Sequence, residues 1–66
     1  MANEAISFSA FRKRTAKIAP ISWKRMSYSE QQAILTKAWQ ECAFISNLTD
    51  SRIMLALYAH MPLAAL

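Results

Sequence analysis

The segment from Asp50 to Met61 constrains the fold most, because it carries a helix start and is apolar on almost every side. Thr49 and Asp50 are residue types that accept hydrogen bonds from the first turn of a helix, so a helix is predicted over about residues 50–61. Its apolar side chains cover more than half of the circumference: Ile53, Met54, Leu55, Leu57, Tyr58 and Met61. A helix of this kind must be covered on several sides.

A second helix is predicted just before it, over about residues 28–46. Ser27 and Glu30 have the spacing of a capping box, in which each side chain bonds the backbone N–H of the other residue. Neither Gly nor Pro occurs between this cap and Ser46. Apolar residues recur on one face at helical spacing: Ile34, Leu35, Ala38, Trp39, Cys42 and Ile45. With a polar turn at 47–50, residues 27–66 are predicted to form an antiparallel helical hairpin.

Phe44 interrupts this pattern, because at 100° per residue it lies on the polar side of the predicted helix. Two interpretations are open. A neighbouring segment covers the ring, or the ring is exposed and anchors a partner.

The N-terminal part of the chain is predicted to form a basic helix over about residues 4–18. Asn3 or Ser7 is the expected cap, and Pro20 ends the helix by excluding the α conformation at Ala19. Residues 6–10 also alternate between apolar and polar, so a short strand is the competing prediction. A strand followed by two helices would resemble the layout of the ribbon-helix-helix repressors, whose paired strands enter the major groove.

The composition indicates one small all-α domain that does not complete its core alone. The chain has 66 residues, 55% of them hydrophobic, and one cysteine, which excludes an intramolecular disulfide. A core of this size is marginal without other support. We therefore expect residues 1–26 to form the basic helix with its connector, residues 27–66 to form the apolar hairpin, and a partner or oligomer to complete the fold.

Charge is concentrated in the first third of the chain. Residues 1–26 hold six cations and one acid, giving +5, whereas residues 27–66 hold two cations and three acids, giving −1. This asymmetry predicts an acidic partner: nucleic acid, an acidic protein surface or anionic lipid. The candidate contacts are Arg12, Lys13, Arg14, Lys17, Trp23, Lys24 and Arg25. Trp23 has two interpretations, stacking on a base or filling the open end of the hairpin core.

Catalytic and metal sites are not expected. One His and one Cys are too few for a metal site, and the absence of Gly removes the glycine-rich loops that bind phosphates. No cofactor is predicted, and we expect the protein not to be an enzyme. A helix-turn-helix reader is also disfavoured, because its second helix would present Met, Leu, Tyr and Ala to the bases.

Membrane association is not favoured by the sequence. No apolar run reaches the roughly 18–20 residues that span a bilayer. Glu4 stands where a signal peptide needs basic residues, so cytoplasmic localisation is expected. A weaker hypothesis lays the basic helix on an anionic membrane with Phe8, Phe11 and Ile18 inserted.

The sequence therefore predicts a small non-enzymatic interaction protein, either a regulator or inhibitor or a small subunit. It would bind a protein partner, or itself, through apolar surface and its basic helix. The candidate apolar interface consists of Phe44, Met54, Leu55, Tyr58 and Met61. The alternative is a dimeric nucleic-acid-binding protein that contacts phosphates through its basic N-terminal segment.

Overall fold

The computed structural model describes residues 5–63, and within that range it contains helices and no strand. The helices are α1 (Phe8–Ile18), α2 (Ile21–Lys24), α3 (Tyr28–Cys42) and α4 (Asp50–His60). The all-α prediction is confirmed. The competing strand over residues 6–10 is wrong, because the backbone enters the first turn of α1 at Phe8.

The ends of α1 follow from two local signals. The Ser7 hydroxyl accepts a hydrogen bond from the Ala10 N–H at 3.1 Å, which caps the helix and starts it at Phe8, later than predicted. The other candidate cap, Asn3, lies outside the described residues. Ala19 is extended, with φ −69° and ψ 146°, because the ring of Pro20 excludes the α conformation there.

The connector between α1 and α3 contains the single helical turn α2, which the sequence did not predict. This turn carries Trp23 into the core, where the side chain is almost completely buried. The Gln31 side-chain amide donates to the Trp23 carbonyl at 2.6 Å and so fastens the turn to α3. Of the two interpretations of Trp23, the structure shows the one in which it fills the core.

α3 begins as predicted and ends earlier. The Ser27 hydroxyl accepts from the Glu30 N–H at 3.2 Å, and the Glu30 carboxylate accepts from the Ser27 N–H at 3.4 Å, so the capping box is confirmed. The predicted extension to residue 46 is wrong, since Cys42 is the last helical residue. The Ala43 carbonyl accepts a hydrogen bond from the Ile6 N–H at 3.1 Å, instead of from the next helical turn.

α4 closely matches its prediction. The Thr49 hydroxyl accepts from the Arg52 N–H at 3.2 Å and caps a helix that begins at Asp50. Met61 is extended in front of Pro62, so the helix ends at His60. α3 and α4 pack on each other, as a helical hairpin requires, and α1 packs on both.

All four helices contribute to one hydrophobic core. Its buried members are Phe11, Trp23, Ile34, Leu35, Ala38, Cys42, Ile53, Ala56, Leu57 and Met61. Three of these come from one side of α4, so α1 and α3 cover that side of the helix. The opposite side of α4 is not covered within the described chain.

One polar group in the core has no hydrogen-bond partner among the described residues. Thr15 is 1% exposed, and its hydroxyl oxygen is buried without a partner. Thr15→Val keeps the shape and removes this hydroxyl, so we expect the free energy of unfolding in urea to rise by about 1 kcal/mol.

Thr36→Val is the matched control, because the Thr36 hydroxyl is exposed and donates to the Gln32 carbonyl at 2.8 Å. We expect no gain from this substitution. A Thr15→Val variant no more stable than the unsubstituted chain would show that the buried hydroxyl is satisfied in solution.

Candidate interaction surfaces

Exposed cations form the first surface, which we call the basic surface: Arg12, Lys13, Lys17, Lys24 and Arg25. On α1, Phe11 and Thr15 face the core, and helical geometry turns the three cations of that helix away from it. None of the five forms an ion pair with residues 5–63. Their charge is therefore available to an external anion.

Arg14 was predicted as a member of this group, but the structure uses it inside the chain. Its Nε donates to the Asp50 carboxylate at 2.9 Å, and its Nη2 donates to the Leu48 carbonyl at 2.7 Å. These bonds connect the middle of α1 to the start of α4. The Arg14 charge is thus partly neutralised, unlike that of Arg12 or Lys13.

Trp23, another predicted contact, is not available for stacking on a base, because its ring is buried in the core with 5% of its surface exposed. The exposed aromatic residue that follows Lys24 and Arg25 most closely in sequence is Tyr28, at the start of α3. The sequence pattern does not indicate Tyr28, because an aromatic residue at the first helical position can face either the core or the solvent.

The outward side of α4 forms the second surface, which we call the α4 outer face. It consists of Ser51, Met54, Leu55, Tyr58 and Ala59, at the i, i+3, i+4, i+7 and i+8 spacing of one helix side. Leu55 is 64% exposed and Tyr58 is 40% exposed, while Met54 is partly buried against the core. No member carries a charge, which is unusual for the exposed side of a helix.

The other two predicted interface residues lie elsewhere. Phe44 follows the end of α3 and is 70% exposed, so none of the described residues covers its ring. Met61 is buried in the core and cannot belong to an exposed surface. Ile21, which is 66% exposed on α2, is an exposed apolar residue that the sequence pattern does not indicate, because α2 itself is not predicted.

The residues just before and at the start of α1 are held against α3. The Trp39 indole N–H donates to the Ile6 carbonyl at 2.7 Å, and the Phe8 ring meets the Trp39 ring edge to face, with centroids 5.6 Å apart. Phe8 and Ile18 are partly buried against the core and Phe11 is buried in it, so inserting all three into a bilayer would require α1 to leave the core. In the described part of the chain, no helix has the length and apolar character needed to cross a membrane.

A titratable cluster lies where α3 and α4 meet. The His60 imidazole contacts the Glu41 carboxylate, and the adjacent Cys42 is fully buried. Burial raises the pKa of the Cys42 thiol, the nearby Arg52 lowers it, and Glu41 raises it. Within residues 5–63, no group of three or more His, Cys, Asp or Glu side chains is arranged to hold a metal ion.

No protein-family model matches the chain, and no curated protein or solved structure matches it either. Its function is therefore inferred from the chemistry of the basic surface and the α4 outer face.

Because the pKa of the Cys42 thiol is raised, we expect the chain to lose stability at alkaline pH. Because its pKa is higher in the folded chain than in the unfolded chain, where it is about 8.5, the unfolded state releases the thiol proton first as pH rises. The contribution of the protonated thiol to stability is therefore complete below the pKa of the unfolded chain, and it is lost as the pH rises through the higher pKa of the folded chain. We expect the free energy of unfolding to fall more between about pH 7 and about pH 10 for the unsubstituted chain than for Cys42→Ala.

Comparing the two chains removes every pH-dependent contribution that they share, so the difference between them isolates the thiol. Equal losses of stability over this pH range would mean that the thiol titrates alike in the folded and unfolded chains.

Proposed function

We propose that this chain is a small non-enzymatic interaction protein, acting as a regulator, inhibitor or small subunit. It binds a protein partner through the α4 outer face, with the basic surface meeting acidic groups of that partner. The observation that carries the proposal is the exposed, uncharged side of α4 opposite its buried side.

The pattern on α4 differs from ordinary surface hydrophobicity. Single exposed apolar residues are common on soluble proteins, but a continuous uncharged side of a helix is typical of a helix that packs on another protein. Tyrosine is also enriched among the residues that dominate binding energy at interfaces. Covering Leu55 and Tyr58 would contribute on the order of 2–4 kcal/mol.

The basic surface would orient the chain on its partner and would make the binding specific for an acidic partner. Interfaces usually have an apolar centre and a polar rim, and charge complementarity mainly raises the rate of encounter and excludes wrong partners. The exposed cations of α1, such as Arg12 and Lys13, have no partner among the described residues, whereas Arg14 does. An acidic protein surface beside an apolar groove is therefore the chemistry that fits this chain.

The proposal is tested by capture from an extract of the native host, with the tagged chain immobilised and nuclease added to remove nucleic acid. We expect Leu55→Glu to lose the captured protein at least tenfold, because a carboxylate in the contact must be desolvated. Ile21→Glu is the matched control, since Ile21 and Leu55 are 66% and 64% exposed.

The Ile21→Glu variant should retain the partner, and circular dichroism should show that both variants keep their helices. If both variants captured the same proteins, partner binding would not depend on the α4 outer face, and the proposal would be rejected.

A second candidate function, binding nucleic acid as a dimer, is favoured by the unpaired cations of the basic surface. Arg12, Lys13 and Lys17 lie on the outward side of one helix and make no ion pair with the described residues. Trp23 is buried and adds no stacking. Such binding would rest on phosphates and have little sequence preference.

This candidate is tested by the salt dependence of affinity for a labelled DNA duplex. Replacing Arg12, Lys13 and Lys17 with Ala should reduce the slope of log affinity against log salt by about two to three units, because each lost phosphate contact removes about 0.9. Lys37→Ala, which changes an exposed cation on α3, should leave the slope nearly unchanged. An unaltered slope in the triple variant, or no binding at low salt, would eliminate this function.

A further inference from the structure

We propose that the region where α2 meets α3 binds single-stranded nucleic acid. In this site Tyr28 stacks on a base, and Lys24 and Arg25 contact the neighbouring phosphates. We call these three residues the connector patch. The inference rests on the second candidate function, nucleic-acid binding, and adds to it a stacking residue and a preference for single strands.

The cations of the connector patch face solvent because Trp23, between them and Ile21 on the helical turn, faces the core. Ile21, Lys24 and Arg25 have the i, i+3 and i+4 spacing of one helix side. The Arg25 N–H donates to the Ile21 carbonyl at 3.1 Å, which keeps this spacing helical. Lys24 and Arg25 are exposed, and neither forms an ion pair with residues 5–63.

Tyr28 is held close to these cations. It lies three residues after Arg25, so the Cα atoms of the two residues are no more than about 11 Å apart. Gln31 shares a side of α3 with Tyr28, at i+3 spacing, and its amide donates to the Trp23 carbonyl at 2.6 Å. The side of α3 that carries Tyr28 therefore borders the end of α2.

The Tyr28 ring is available to a ligand. It is 70% exposed, although it stands at the first position of a 15-residue helix whose start is fixed by the capping box. Proteins that bind single strands combine exposed aromatic rings, on which bases stack, with cations that neutralise the phosphates. In a duplex the bases are already stacked on one another, so the ring favours a single strand.

The single acid near the patch is already engaged. Glu30 is the one acid between residues 19 and 36. Its carboxylate accepts from the Ser27 hydroxyl at 2.9 Å and from the Ser27 N–H at 3.4 Å. The two cations outnumber it, so the local charge favours an anionic ligand.

An anionic membrane surface would match this charge but fits the patch less well. A helix that lies on a bilayer inserts several apolar side chains along one side. Here Ile21 is the one exposed aliphatic residue on the side of α2 that carries Lys24 and Arg25. One stacking ring beside two cations is sufficient for a nucleotide, so the single strand is the occupant that the patch favours.

The first test measures the affinity of the full chain for a fluorescently labelled thymidine oligomer at low salt, by anisotropy. Tyr28→Ala should weaken binding at least about fivefold, because stacking on one aromatic ring contributes this much or more. Tyr28→Phe keeps the ring and should retain the affinity. Tyr58→Ala is the matched control, since Tyr58 is an exposed tyrosine on α4.

Circular dichroism should show that all three variants keep their helices, because both tyrosines are exposed. A Tyr28→Ala variant that binds the oligomer as tightly as the unsubstituted chain overturns the inference. An equal loss of affinity in Tyr58→Ala also overturns it.

The second test separates stacking from charge through the salt dependence of binding to the same oligomer. Replacing both Lys24 and Arg25 with Ala should reduce the slope of log affinity against log salt by about 1.4, since each phosphate contact on a single strand contributes about 0.7. Tyr28→Ala should lower the affinity and leave the slope unchanged. Lys37→Ala, an exposed cation on α3, is the control. An unaltered slope in the double variant contradicts the proposed phosphate contacts.

The outcomes also distinguish this inference from the function on which it rests. If the chain binds duplex and single strand equally and Tyr28→Ala changes neither affinity, the second candidate function stands and the connector patch is not its site. If the chain binds neither at low salt, both fail. Binding to phosphatidylserine vesicles but not to the oligomer would make the patch a lipid site and overturn the inference.

Discussion

The attachment of Ile6 to the end of α3 determines much of the remaining structure. The Ile6 N–H bonds the Ala43 carbonyl and the Ile6 carbonyl accepts from the Trp39 indole, so both backbone groups of one residue are held by α3. This attachment ends α3 at Cys42, because the Ala43 carbonyl no longer serves the next helical turn. It also holds the residue just before the Ser7 cap of α1 against α3, and so positions the start of α1 on the core.

The position of α1 explains why the two candidate surfaces are chemically different. With Phe11 in the core, the cations of α1 face outward, except that Arg14 reaches the turn before α4 and holds it. α4 is then covered by α1 and α3 on one side. None of the other helices among residues 5–63 covers the opposite side, so Leu55 and Tyr58 stay exposed. The charged surface and the uncharged surface thus arise from the same packing.

The apolar pattern of α4 predicts a helix that must be covered on several sides. The structure satisfies this need for Ile53, Ala56 and Leu57 within a single chain, and it leaves a narrower uncharged strip than the sequence suggested. Met61 belongs to the covered part, although the pattern placed it at an interface. Helical periodicity shows which residues share a side of a helix, but it does not show how far a neighbouring helix extends over that side.

Local signals in the sequence determined where α3 and α4 begin. They also determined where α1 and α4 end, since each of these helices stops just before a proline. Ser27, Thr49 and Pro20 act on backbone groups within four residues of themselves, so their effects can be predicted without the fold. Only the tertiary structure decided the end of α3, the turn α2 and the burial of Trp23. The end of α3 depends on hydrogen bonds between residues more than thirty positions apart, such as Ile6 with Trp39. The turn α2 and Trp23 are held by packing in the core and by the Gln31 bond to the Trp23 carbonyl, and no local pattern records which of these groups will meet.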